Sequence, residues 1–78
     1  MKSYAEYLRE LIGKNGELIE VNPSYVFVVP KLPKDATATL IDVGQDYAEF
    51  SEWEHNRLVP LTLLVVLINS EQKMTSNL

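Results

Sequence analysis

The chain has 78 residues, a net charge of −4 and no cysteine. That length fits one domain, one that buries only about 60% of the surface its unfolded chain exposes, with no disulfide, thiolate metal site or catalytic thiol available to it. The acidic balance works against non-specific binding to nucleic acid or anionic lipid, since both depend on Lys and Arg, and a hydrophobic content of 46% excludes a disordered chain.

In chain order, Ser3-Tyr4-Ala5-Glu6 opens a helix by a reciprocal cap. Tyr4, Leu8, Leu11 and Ile12 fall on one helical face, and Gly13 is a natural stop, which predicts a short amphipathic helix over 4–12. So short a helix is unstable alone in water and has to pack on something. The period then changes. ELIEV (17–21) reads as a strand, NPS (22–24) as a turn, and the β-branched and aromatic YVFVV (25–29) as a second strand. Pro30 and Pro33 make 30–35 a loop. TATLIDV (37–43) and YAEFSEW (47–53) form a hairpin about Gly44-Gln45-Asp46, with Gly44 free to take positive φ. A turn at 54–56 leads to RLVP and LTLLVVLI, which supply one or two more strands. The reading is a mainly β protein: a short N-terminal helix followed by a small five- or six-stranded antiparallel barrel. One domain spans 1–70, and the polar, aperiodic residues 71–78 form a flexible C-terminal tail.

The N-terminus has no apolar leader. The most apolar run, 58–68, is interrupted by Pro60 and falls short of the ~18 residues of a membrane span. The expectation is a cytoplasmic protein with no membrane association. Two strands, YVFVV and LTLLVVLI, are apolar on both faces, whereas a strand with one face in water alternates. A small barrel has one interior, so the second apolar face needs a cover. A neighbouring subunit supplies it if Val26, Val28, Leu64, Val66 and Ile68 form an oligomer interface.

TLIDVGQDYAEF followed by NRLVPLTLLVVL resembles small bacterial Sm-like domains, and within them an uncharacterised group with a V-G-x-D-Y turn and a V-P-L segment. Leu40, Val43, Gly44, Asp46, Tyr47, Val59, Pro60 and Leu61 carry the match, and the leading helix YLRELIGK fits it. The resemblance covers roughly residues 4–68. It implies an Sm-like or SH3-like barrel capped by its helix, which self-associates through edge strands, often in rings. RNA-binding members carry an Asp and an Asn near the turn and an Arg-Gly pair before the last strand. Here Gly44 and Ala48 stand where the Asp and Asn belong, and RLVPLTL has no Arg-Gly. The segment 22–36 is also longer than the usual first hairpin.

Chemistry is sparse. Glu52 and His55, the lone histidine, have a metal-ligand spacing, but a metal needs three or four convergent ligands. Ser24, Ser51, Thr37 and Thr39 have no local base partner. The carboxylates Asp42, Asp46, Glu49, Glu52 and Glu54 read as a solvated hairpin face, and neither phosphate-binding glycine motif is present. No enzyme, metal or cofactor is implied. Asp46 is expected to cap its own turn and Tyr47 to pack as the first residue of the returning strand. Trp53 is either core or an exposed anchor, so Asp46, Tyr47 and Trp53 are the candidate ligand or partner surface. The expected function is a non-enzymatic homo-oligomeric assembly or protein-interaction module. The alternatives are an RNA-binding protein, or an accessory subunit that pairs its apolar edge with a larger protein partner.

Overall fold

The computed structural model describes residues 1–69; the expected tail at 71–78 lies outside the described residues. The elements run α1 (Tyr4–Arg9), β1 (Asn15–Val21), β2 (Ser24–Val29), a 3-10 turn (Pro33–Asp35), β3 (Ala38–Val43), β4 (Tyr47–Glu52), β5 (Asn56–Pro60), a second 3-10 turn (Leu61–Leu63) and β6 (Leu64–Ile68). The protein is mainly β, a short helix followed by six strands in one sheet.

The helix begins as its cap dictates. Ser3 Oγ accepts from Glu6 N–H at 3.2 Å, and Glu6 Oε1 accepts from Ser3 N–H at 2.7 Å. It ends after Arg9 rather than at Ile12, because the chain turns toward β3. Gly13 takes φ +94°, and its N–H donates to Leu40 O at 2.7 Å, a tertiary bond in place of another helical turn.

The strand order is β5-β4-β3-β1-β2-β6. β1 and β2 form a hairpin that lies between β3 and β6, which accounts for the extra apolar strand of 22–36. The sheet is mixed where the short strands suggest an antiparallel one: β2 and β6 run parallel, from Tyr25 opposite Leu64 to Val29 opposite Ile68. The reason lies in the three-residue turn after Pro60, which delivers β6 to the start of β2 rather than back along β5. That turn also forces curvature. Laid flat, β5 and β6 would be ~24 Å apart at ~4.8 Å per strand step, whereas the chain from Pro60 to Leu64 reaches at most ~14 Å. The sheet therefore curls, barrel-like, and Arg57 of β5 sits over the Tyr25 ring of β2 at 5.7 Å. It does not close: β5 and β6 remain at opposite ends of the ladder.

The concave face holds the core. Phe27 and Val29 of β2, Ala38, Leu40 and Val43 of β3, Ala48 and Phe50 of β4, Val59 of β5 and Leu64 of β6 are buried, with Leu8 of α1 laid over them. Alternation puts these residues inside, with one break. A bulge between Leu40 and Asp42 turns both Ile41 and Asp42 outward and returns Val43 to the core. At the centre, Phe27 and Phe50 meet edge to face, centroids 4.6 Å apart. This contact ties the β2–β6 end of the sheet to the β4–β5 end, and such pairs add about 1 kcal/mol beyond burial.

Candidate functional site

The sequence LVVLI makes β6 a strand without a charge or a proline. It ends the strand order, so one of its hydrogen-bonding edges has no neighbour among the described residues. Which groups stand on that edge follows from the parallel pairing. Asn69 N–H donates to Val29 O at 2.7 Å, so the alternate residues Val65 and Leu67 also turn their backbone groups toward β2. Leu64, Val66 and Ile68 then turn theirs to the open side. Leu64 bears this out: its carbonyl accepts from the Tyr4 hydroxyl at 2.6 Å. Burial raises the pKa of Tyr4, which keeps the hydroxyl protonated as a donor. The N–H and C=O of Val66 and Ile68 have no hydrogen-bond partner among the described residues.

Beside this edge, on the concave side, α1 leaves a cleft of about 380 Å³ lined by Tyr4, Tyr7, Leu8, Leu11, Val66 and Ile68, with Glu10 at its margin. Glu10 is engaged by Lys2. On the convex side the apolar surface continues across three strands, as Ile19 stands opposite Val26 and Val26 opposite Val65. Val65 and Leu67 are 49% and 53% exposed. An open edge flanked by an apolar cleft is the arrangement that receives an added β-strand, with main-chain bonds for affinity and alternate side chains seated in the cleft.

The five residues expected at an oligomer interface do not share one face. Val26 and Val28 lie on the convex face and are half-buried, whereas Leu64 and Val66 share the concave face with Phe27. Leu64 is only 5% exposed, a core residue. Ile68, on the same face, is 67% exposed at the end of the edge. Register decides this: β6 pairs Leu64 with Tyr25 and Val65 with Val26, so the convex contribution of β6 is Val65 and Leu67. Those two carry no signal of their own in an unbroken apolar run.

At the β3–β4 turn the structure revises several expectations. Asp46 does not cap with its side chain, whose carboxylate makes no hydrogen bond among the described residues. Its backbone carbonyl accepts from Leu61 N–H at 2.9 Å, which fixes the start of the second 3-10 turn. Gly44 has no positive φ. It is needed for space, because a Cβ there would run into the Tyr47 ring. Tyr47 opens β4 as expected, and its hydroxyl donates to Asp42 Oδ2 at 3.1 Å. That bond, with the charge of Asp42 behind it, raises the phenol's pKa. Arg9, which no sequence pattern singles out, reaches from α1 to the carbonyls of Val43 at 3.3 Å and Gly44 at 3.4 Å, tethering helix to turn. Asp46 and Tyr47 thus serve the corner, and Trp53 stands apart from them at the tip of the β4–β5 hairpin, 91% exposed.

A further set of titratable groups pairs across the β4–β5 hairpin. Glu52 Oε1 accepts from Arg57 Nε at 2.8 Å and lies 2.9 Å from His55 Nε2. Glu52 thereby holds the Arg57 guanidinium more firmly charged. No group of three or more His, Cys, Asp or Glu is arranged to hold a metal among the described residues. No helix among them is long and apolar enough to cross a membrane. Comparison with family models, curated proteins and solved structures yields no significant match in any of the three.

Proposed function

We propose that the protein is a non-enzymatic, homo-oligomeric assembly module, in keeping with the Sm-like resemblance, which joins copies by adding β6 of one to β6 of another. The observation that carries this is the β6 edge, which has no neighbouring strand among the described residues. Natural edge strands are usually blunted by charge, proline, bulge or cover, because an open apolar edge pairs with whatever strand it meets. Among the described residues, β6 has none of these along Val66–Ile68. The opposite edge is blunted. Leu61 N–H points to β4, so Pro60 turns the position of its missing N–H to the open side of β5, and Arg57 adds a charge. That asymmetry favours β6 against β6, an isologous contact of the kind most dimers use. The convex Val65 and Leu67 and the concave Ile68 lose water in the contact.

Light scattering coupled to size exclusion over a dilution series tests this. The expected result is a discrete dimer that persists on dilution. Leu67→Lys should convert it to a monomer while changing the monomer's own stability by no more than about 0.5 kcal/mol, because that side chain is at the surface. Val66→Lys is a poor probe, since Val66 packs against the core. A soluble monomer at every concentration would overturn self-assembly. A second reading, an accessory subunit, draws on the cleft beside the edge. There the edge strand and cleft receive a strand of a larger protein, and co-purification with one defined partner through Leu67 and Ile68 is its test.

A further inference from the structure

The convex face changes character away from β6. Asn15 of β1 stands opposite Thr39 of β3, and Thr39 opposite Ser51 of β4. Alternation puts all three on the convex side, as Ala38, Leu40 and Phe50 beside them face the core. They form a row of short neutral polar side chains in the floor of a cleft of about 460 Å³, with Thr37, Pro33 and Trp53 in its walls. That size is ordinary for a small-ligand site. Every lining residue is uncharged. The Thr39 hydroxyl donates to Asn15 Oδ1 at 2.9 Å. This fixes the amide, leaves its N–H groups without a partner among the described residues, and keeps the Thr39 oxygen as an acceptor. Trp53 is the chain's one tryptophan, and it is 91% exposed among the described residues.

We propose that this cleft binds a neutral sugar, with a pyranose ring stacked on Trp53 and its hydroxyls bonded to Asn15, Thr37, Thr39 and Ser51. The chemistry selects that class. The face of an indole is negative, and the C–H hydrogens on the less hydroxylated side of a pyranose are slightly positive. Threonine and serine hydroxyls both donate and accept, as sugar hydroxyls do. An anionic ligand meets no cation in the lining, and Glu52 and Glu54 flank Trp53. A proline-rich peptide seeks a groove lined by several aromatics, and here there is one.

The intact chain reports on its own site, because all tryptophan emission comes from Trp53. The emission is followed while cellobiose, maltose, chitobiose, xylobiose and lactose are added in turn, with a polyproline peptide as comparison and calorimetry in parallel. The expected result is a saturable change with at least one sugar and none with the peptide. Thr39→Val, which keeps the shape and removes the hydroxyl, should weaken binding about tenfold. Trp53→Ala should abolish the calorimetric signal with an unchanged thermal melt, its side chain being outside the core. Flat titrations with all five sugars overturn the proposal. So does sugar binding that survives both substitutions, or a response to the polyproline peptide alone.

Discussion

The two ends of the sheet are built from the same kind of short strand and face solvent in opposite ways. At the β5 end a proline and an arginine guard the edge, an ion pair closes the hairpin, and the row Asn15, Thr39 and Ser51 crosses the convex face beside Trp53. At the β6 end the edge has no neighbour among the described residues and both flanks are apolar. The lesson is that edge protection is local. One sheet can be closed to other chains at one margin and open at the other, and the open margin is the one proposed above for assembly.

The largest expected effect comes from cutting the link between the two ends. Phe50→Ala removes the ring that meets Phe27 and leaves a cavity at the centre of the core. The loss should be about 3–5 kcal/mol, enough to unfold much of a chain this small, and a urea or thermal melt followed by circular dichroism reads it. Substitution at the guarded end sharpens the contrast next. Leu58→Lys places a charge at an exposed position of β5 equivalent to that of Leu67 on β6. The solution mass should stay that of the wild-type assembly; a fall to monomer would make β5 the partner edge and point to a head-to-tail ring.

A smaller effect is expected at the ion pair. Glu52→Gln removes the carboxylate shared by Arg57 and His55. With both partners partly in water, the cost should be about 1 kcal/mol in a denaturant melt. Glu52 lies at the guarded end, so the oligomer should be unaffected. The smallest effect belongs to alkaline pH. Tyr47 is raised above its ordinary 10.0 by the hydrogen bond to Asp42 and then by that carboxylate's charge, and Tyr4 is raised by burial. A folded state that holds these protons more tightly than the unfolded chain has their contribution in full below pH 10 and loses it as the pH rises through the folded values. Asp42→Asn should bring the Tyr47 titration, followed by ultraviolet absorbance, back toward 10.0 and leave that of Tyr4 where it is.

Much of the fold was legible because its signals are local. The Ser3–Glu6 cap starts the helix, which stops at Arg9, short of the expected Ile12. Pro30 and Pro33 mark the loop, and β1 to β5 lie within a residue or two of where their β-branched and aromatic runs place them, while β6 begins three residues late because Leu61–Leu63 form a 3-10 turn. The candidate site was legible as a region and misread as a set of residues. YVFVV and LTLLVVLI announce two buried-looking strands, but an unbroken apolar run has no period, so nothing in it says which side chains face the core. The Leu40–Asp42 bulge and the true role of Gly44, clearance for Tyr47, are hidden for a similar reason, since each depends on what lies across the turn.

By itself, then, the sequence determined element type, approximate limits, the absence of thiol chemistry and the excess of apolar surface. These depend on backbone sterics, side-chain branching and composition, which act within a few residues. Tertiary structure alone decided that β6 runs parallel to β2, that the sheet curls without closing, that Leu64 is core while Val65 and Leu67 are surface, and that Asn15, Thr39 and Ser51 line one cleft. The physical reason is pairing register. A strand's side chains alternate with certainty, but which alternate set meets the core is set by a partner strand far away in the chain.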